Sequence, residues 1–433
     1  MATEDSSHLN ALFVVGTRPE AIKMLPLIAA MRDSDWFHPI VVSTGQHAEL
    51  VAQVLAIDGI VPDVTFDMPK GPRGLNELFA KVMLDLNQYL LERVDPPRKA
   101  NVAPFPDDYP AACFVHGDTT SAAAAAVTAF HRHLPVIHVE AGLRTSDTLS
   151  PFPEELNRQL ISRIAALHIA PTISNKANLV REGIDFARVF VTGNTAIDAL
   201  RIAADHAEPY SDPQLADLED EDGPRVVAVT AHRRENWGAP LARIADAVGI
   251  LAEEHPDVRF VVALHPNPEV ADTLRGRLFG HANISLVAPM EYAEFARLLK
   301  RATFAITDSG GVQEEAPSLQ TPVLCVREST ERQEGVAAGT VELVGTDVVE
   351  ILRAARRLLA DPEELARRRA RENPYGDGHA ADRILKALEH IAYGYEAPTA
   401  YGPRFARSAV LRAGGRDDEQ IGFEGGWPEG WAG

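Results

Sequence analysis

Cysteine is scarce, with only Cys113 and Cys325 in 433 residues, both inside apolar, strand-like runs. Two such separated residues read as buried thiols and argue against a disulfide framework or a thiolate metal site. Positive charge is also short: 42 Lys and Arg stand against 62 Asp and Glu, a net charge of −20. Nucleic-acid binding needs clustered Lys and Arg to displace counterions, and an anionic membrane surface makes the same demand, so neither is an expected partner. No apolar run approaches the ~18 residues of a spanning helix. The N-terminal MATEDSSHLN is acidic and has no apolar signal segment, so the expected location is cytoplasmic. Neither H-E-x-x-H nor C-x-x-C occurs, and His138 and Glu140 share a strand face without a third ligand, so no metal is expected. The first strand is followed by neither G-x-G-x-x-G nor a Walker A loop, which removes the NAD and ATP fingerprints.

What the chain has is an almost unbroken alternation of short β-branched runs with amphipathic segments. Strand–helix alternation implies right-handed crossovers and a parallel sheet covered on both faces. At 433 residues with 45% apolar and 24% charged, two domains of roughly 150–200 residues are expected. The divisions read as a first domain over 8–207, an acidic linker over 208–224 (EPYSDPQLADLEDEDGP), and a second domain over 225–372. A helix over 373–393 then crosses back, and a mobile tail fills 394–433. Residues 95–110, rich in proline, read as a surface excursion. The fold class is α/β: two Rossmann-like, doubly wound parallel sheets facing across a cleft, with ligands expected at the carboxyl edges of the strands.

Residues 116–158 gather Asp118, Glu140, Glu154 and Glu155 with His116, His138, Arg144 and Arg158, in the motifs HGDTT, HVEAGLRT and SPFPEELNR. A lone charge at a strand end is as readily a satisfied loop polar or a cap. Three carboxylates converging on one edge suit general acid–base work, which needs groups in reach of one substrate centre with separated pKa values. Asp118, Glu140 and Glu154 can approach from separate loops. Glu155, about 100° further round its helix, is expected to pair with Arg158 or Gln159.

Three turns carry anion-binding chemistry. The first, Gly16-Thr17-Arg18-Pro19-Glu20 with Lys23 one turn on, puts two cations at a helix N-terminus, where dipole and charge favour an anion. A surface salt bridge with Glu20 is the competing reading. The second, TAHRREN over 230–236, holds His232, Arg233 and Arg234, the densest cationic group in any loop of this acidic chain. In the third, TDSGGVQEE over 307–315, Gly310 and Gly311 expose backbone N–H groups, Ser309 adds a hydroxyl, and Glu315 suits paired ribose hydroxyls. Arg332 follows the next strand on the same edge. Phosphate-binding backbone beside an acid points to a nucleoside diphosphate.

With these motifs in place, the chain resembles the non-hydrolysing UDP-N-acetylglucosamine 2-epimerases of bacterial type. The resemblance runs from GTRPEAIKMLPLI through TGQHAEL, HGDTT, HVEAGLRT, PFPEELNR, TGNTAIDAL, TAHRRENWG, LHPNP and TDSGGVQEEAPSL to NPYGDGHAADRI. It implies a GT-B-type fold and inversion at C2 of the sugar, interconverting UDP-GlcNAc and UDP-ManNAc by anti-elimination of UDP to 2-acetamidoglucal and its re-addition. No metal or redox cofactor is implied. Matched position by position, it implies Asp118, Glu140, Glu154 and His232 as catalytic residues. Arg18, Lys23, Arg234, Phe295, Ser309, Gly310, Gly311, Glu315 and Arg332 match the substrate-binding set, with Phe295 near the uracil ring. Gln46 and His47 match an allosteric second-nucleotide site, whereas the positions around Lys70–Arg73 match it poorly. A homodimer is implied as well. One departure is Gln333-Glu334-Gly335, where the family usually has Pro-Glu-Ala. The alternatives are an epimerase of another UDP-N-acetylated sugar, a GT-B glycosyltransferase with the same nucleotide site, and a catalytically silent UDP-sugar sensor.

Overall fold

The structure is a computed structural model describing residues 8–69, 71, 74–93, 110–145, 147–149, 151–205, 209–220, 223–330, 332–398 and 405–415. Lys70, Pro72, Arg73 and, but for Pro110, the excursion expected over 95–110 lie outside these residues. The chain divides into two compact units, residues 1–198 with 379–433, and residues 199–378.

Unit 1 is built on seven parallel strands: β1 (Leu9–Val15), β2 (Phe37–Ser43), β3 (Val64–Thr65), β4 (Ala112–His116), β5 (Val136–Val139), β6 (Leu167–Ala170) and β7 (Val189–Val191). Their order is β3-β2-β1-β4-β5-β6-β7, so the winding direction reverses between β1 and β4. Such a sheet is covered on both faces, and its strands accordingly carry consecutive buried apolar residues, as Leu12, Phe13, Val14 and Val15 do in β1. Phe13 pairs with Phe114 in register and their rings stack at 4.6 Å. Helix Thr120–His131 buries Ala122, Ala123, Ala124, Ala125 and Ala126. Ala122, Ala123, Ala125 and Ala126 pack on the sheet beside Leu12, Val14 and Val115, while Ala124 meets Leu78 and Val82 of helix Leu75–Arg93.

Unit 2 repeats the plan with β8 (Arg225–Thr230), β9 (Val258–Ala263), β10 (Ile284–Val287), β11 (Phe304–Thr307), β12 (Val323–Cys325) and β13 (Val341–Leu343), in the order β10-β9-β8-β11-β12-β13. The reversal falls between β8 and β11. Two doubly wound parallel sheets are thus what the periodicity led one to expect. Both cysteines are free and buried. Among the described residues no helix is long and apolar enough to cross a membrane.

Three expectations about the connections fail. The acidic segment expected as a linker packs onto unit 2. Leu215 and Leu218, three residues apart, are fully buried in its core, and Arg301 donates to the carbonyls of Leu218 (2.6 Å) and Pro224 (2.9 Å). Arg259 meets Asp217 at 3.2 Å and Arg297 meets Glu219 at 3.2 Å, so the acidity that suggested solvent is matched by arginines. The helix expected over 373–393 begins only at Ala380, because Gly376 and Gly378 sit at φ +144° and +82°, outside helical space. It then lays Ala381, Ile384, Leu388 and Ile391 into the core of unit 1. Part of the expected mobile tail is ordered too. Helix Arg407–Ala413 buries Val410 and Leu411 in the same core, and Arg407 Nε donates to the carbonyls of His390 (3.0 Å) and Ile391 (2.8 Å).

Candidate functional site

The winding reversal in unit 1 sets the loops after β1, β4 and β5 side by side, and these loops carry the candidate acids. Glu140 follows β5 with φ +60°, a left-handed conformation that a non-glycine residue adopts at a cost. That turn aims its carboxylate at Lys23 Nζ, which donates to Oε1, with Asn194 Nδ2 at 3.4 Å from the same oxygen. His116 Nε2 is 3.7 Å from Oε2. Burial pushes the His116 imidazole down to about 3, so it faces Glu140 as a neutral ring. Asp118 follows β4 and receives Arg158 Nη1, while its backbone carbonyl takes Asn157 Nδ2 at 2.8 Å. Burial, and then the like charge of Glu140, raise the Asp118 carboxyl above the ordinary range, against the pull of Arg158 and Lys23. The two acids therefore sit close together in unlike environments, one held beside a lysine and one pushed toward its protonated form.

The remaining members of the stretch separate into supports and a third acid. Arg158 is 3% exposed and spans Asp118 and Glu155, the latter at 2.8 Å from Nη2. Glu155 also takes Gln159 Nε2 at 3.0 Å, so both expected pairings form. His138 Nε2 donates to the Gly117 carbonyl at 2.7 Å from a ring that burial pushes down to about 4. Arg144 binds Glu182 through Nε (2.7 Å) and Nη2 (2.9 Å). Glu154 opens helix Glu154–Ile164, half-buried, and its buried Oε2 has no hydrogen-bond partner among the described residues.

The turn after β1 differs from its sequence reading in one respect. The amides of Gly16 and Thr17, at the N-terminus of this helix, are taken by Glu20 Oε2 at 3.0 and 2.6 Å. Glu20 is buried, not a surface salt-bridge partner. Burial raises its carboxyl while its hydrogen-bond donors oppose the rise. Arg18 and Lys23, the two cations expected to meet an anion at this turn, are both half-buried, and Lys23 is engaged with Glu140. Of the allosteric candidates, Gln46 Oε1 accepts from Ser121 Oγ at 2.7 Å, and His47 is exposed at the start of helix Ala48–Ala56.

In unit 2 the loops after β8 and β11 meet at the corresponding reversal. Asp308, fully buried, accepts from the backbone N–H of His232 (2.9 Å) and Arg233 (2.9 Å) and from Asn236 Nδ2 (2.9 Å). The His232 ring stacks on His265 at 5.3 Å. Burial lowers its pKa, against the attraction of Asp308. A Cβ on Gly310 would lie 2.9 Å from Arg332 Cζ and 3.2 Å from Arg233 Nη2, so two guanidinium groups converge over this glycine. Arg332 Nε is also held by Glu314 Oε1 at 2.9 Å. Ser309 is half-buried, and Glu315 reaches back so that its Oε1 is 3.8 Å from a Cβ on Gly311. Phe295 packs, half-buried, on the unit 2 core.

The structure thus groups Lys23, Asp118 and Glu140 in unit 1, and His232, Gly310 and Arg332 in unit 2. Arg234 stands outside the second group, exposed over the Trp237 ring at 5.9 Å. Arg233 and His265 do belong with that group; sequence names Arg233 as one of three cations in its loop without separating it from Arg234, and does not single out His265. Of neighbouring arginines in a loop, sequence does not say which turns inward, and His265 comes from the separate LHPNP turn. Among the described residues no group of three or more His, Cys, Asp or Glu is arranged to hold a metal.

The sequence profile of the UDP-N-acetylglucosamine 2-epimerase family matches residues 29–389. A UDP-N-acetylglucosamine 2-epimerase of Escherichia coli is 42% identical over 398 residues, covering 88% of this chain and 99% of the relative. One of Bacillus subtilis is 41% identical over 394 residues, covering 91% and 98%. The crystal structure of the Neisseria meningitidis UDP-GlcNAc 2-epimerase bound to UDP-GlcNAc is 39% identical, with a TM-score of 0.73 over 88% of this chain and 99% of that one.

Proposed function

The chain belongs to the UDP-N-acetylglucosamine 2-epimerase family, and from that premise we propose that it interconverts UDP-GlcNAc and UDP-ManNAc in the cytoplasm. A carboxylate removes the C2 proton as the C1–O bond breaks. The bond's electron pair leaves with UDP, and 2-acetamidoglucal remains. UDP oxygen then re-forms the bond to C1 while an acid returns a proton to the opposite face of C2. The observation that carries this reading is the unlike setting of two adjacent acids. Glu140, beside Lys23, suits the ionised base, and Asp118, pushed toward its protonated form, suits the acid. Glu154, whose buried Oε2 has no hydrogen-bond partner among the described residues, is the third proton-handling candidate. The reading assigns the sugar to these acids together with Arg18, and the uridine diphosphate to unit 2. There Arg332, Ser309, Gly310, Gly311 and Arg233 take the diphosphate, Glu315 the ribose and Phe295 the uracil, with His232 beside the departing oxygen and Arg234 at the rim. Holding UDP tightly stabilises it as a leaving group and retains it for re-addition.

The decisive experiment is incubation with UDP-GlcNAc in D2O. Deuterium at C2 in both epimers is expected. Free UDP without a UDP-ManNAc product would indicate a hydrolase or transferase, and no conversion at all a sensor. A homodimer is part of the reading, supported by Leu84 and Leu91, both exposed on one face of helix Leu75–Arg93. Sedimentation as a monomer at micromolar concentration would refute it.

A further inference from the structure

We infer that Glu20 is a positioning residue that staples the turn carrying Arg18 to the turn carrying Asp118, and that turnover depends on this staple. Four donors meet one carboxylate that is 2% exposed. Oε2 accepts from Gly16 N (3.0 Å), Thr17 N (2.6 Å) and Thr17 Oγ1 (2.8 Å), all in its own turn. Oε1 accepts from Thr119 Oγ1 at 2.7 Å, across the winding reversal and 99 residues further along the chain. Thr119 Oγ1 in turn accepts from Ala122 N at 3.0 Å, capping helix Thr120–His131. One carboxylate therefore fixes the start of two helices and the two loops between them. Burying a carboxylate is costly unless its lone pairs are filled, and here the filling groups are the backbone of one turn and the hydroxyl of the other.

The two turns also leave no slack. A Cβ on Gly16 would lie 2.6 Å from Ser121 Cβ and 2.9 Å from Thr44 Oγ1. A shift of either turn is thus passed to the other, and Asp118 precedes the stapled threonine directly. Two of the partners are backbone N–H groups that can only donate, so Glu20→Gln must keep its carbonyl toward them and turn its N–H2 toward Thr119 Oγ1, whose hydroxyl then has to reverse its role. Glu20 itself reaches no reacting atom. Its effect is on where Asp118 and Arg18 stand.

The inference rests on the acid role proposed for Asp118, and its test separates the two. Thr119→Val, isosteric but without the hydroxyl, is expected to lower kcat for UDP-GlcNAc by about tenfold or more, since small misplacements at a reacting centre are amplified in rate. UDP affinity should stay within about twofold, because the nucleotide is assigned to unit 2. Thr119→Ser should recover most of the lost rate. Glu20→Gln should act in the same direction, and the double variant should be no slower than the slower single one, as for two changes to one bond. Amide exchange in Thr119→Val should rise together at residues 16–18 and 117–121. A wild-type kcat in Thr119→Val, additive losses in the double variant, or faster exchange in only one turn would each overturn the staple. The exchange readout stands whether or not the wild type epimerises, so a protein without turnover would count against the proposed reaction alone.

Discussion

The two units share one winding scheme, and each carries a buried carboxylate at its reversal point, but the carboxylates reach in opposite directions. In unit 1, Glu20 lies after the first strand and reaches the loop after β4. In unit 2, Asp308 lies after β11 and reaches back to the loop after β8 through the amides of His232 and Arg233. Around these staples the chemistry diverges. Unit 1 gathers acids, Asp118 and Glu140, each against a cation. Unit 2 gathers arginines over a glycine. The fold supplies the place where loops converge, and the side chains set its local chemistry.

The comparison breaks first if the division of labour is wrong. Asp118→Asn keeps the shape and an acceptor for Arg158 but cannot give or take the proton. Removal of an acid–base group costs about 10²- to 10⁴-fold, so kcat should fall by about a thousandfold while UDP affinity measured by calorimetry stays near wild type. A weakened UDP affinity with kcat little changed would place Asp118 in binding and dissolve the contrast.

The mirror experiment is Arg233→Ala in unit 2. A charge-assisted hydrogen bond to phosphate is worth about 1.5–3 kcal/mol, so UDP Kd should rise roughly tenfold to a hundredfold. An unchanged Kd would mean that Arg233 only packs on Gly310. Arg234→Ala, removing an exposed side chain that rests over Trp237, should weaken UDP less than Arg233→Ala.

Much of this was legible in the sequence because parallel strands buried on both faces read as continuous apolar runs, and loops after such runs mark the functional edge. Asp118, Glu140, His232 and the Gly310–Gly311 turn do each lie just after such a strand. What was not legible depends on contacts from far along the chain. Glu20 reads as a surface salt-bridge partner because its actual partner Thr119 is 99 residues away. Leu215 and Leu218 are two apolar residues in an acidic stretch, and only the arginines of helix Tyr292–Arg301 and of β9 make that stretch packable. The helix Arg407–Ala413 has a single short apolar pair, too little to register beside a glycine-rich terminus.

The smallest expected effect concerns pH, and again the units differ. Unit 1 buries His116, His138 and His168, and burial depresses all three below their ordinary pKa of 6.5, to about 3, to about 4 and well below it. In unit 2 the depressed histidine is His232, which is 35% exposed. A base with a depressed folded pKa binds a proton in the unfolded chain before the native one. Its contribution is therefore fully present above pH 6.5 and is lost as pH falls from there toward the folded pKa. Each buried histidine then costs about 1.4 kcal/mol of stability per pH unit within that window. His168 touches none of the candidate acids, so His168→Leu isolates the effect, leaving turnover intact. Urea unfolding at pH 6.5 and 5.5 should lose about 1 kcal/mol less in the variant than in the wild type, with the gain confined to amides of unit 1 by hydrogen exchange. An identical pH slope in the two proteins would mean that His168 is charged in the native state, and an equal gain in unit 2 would mean that the units unfold as one.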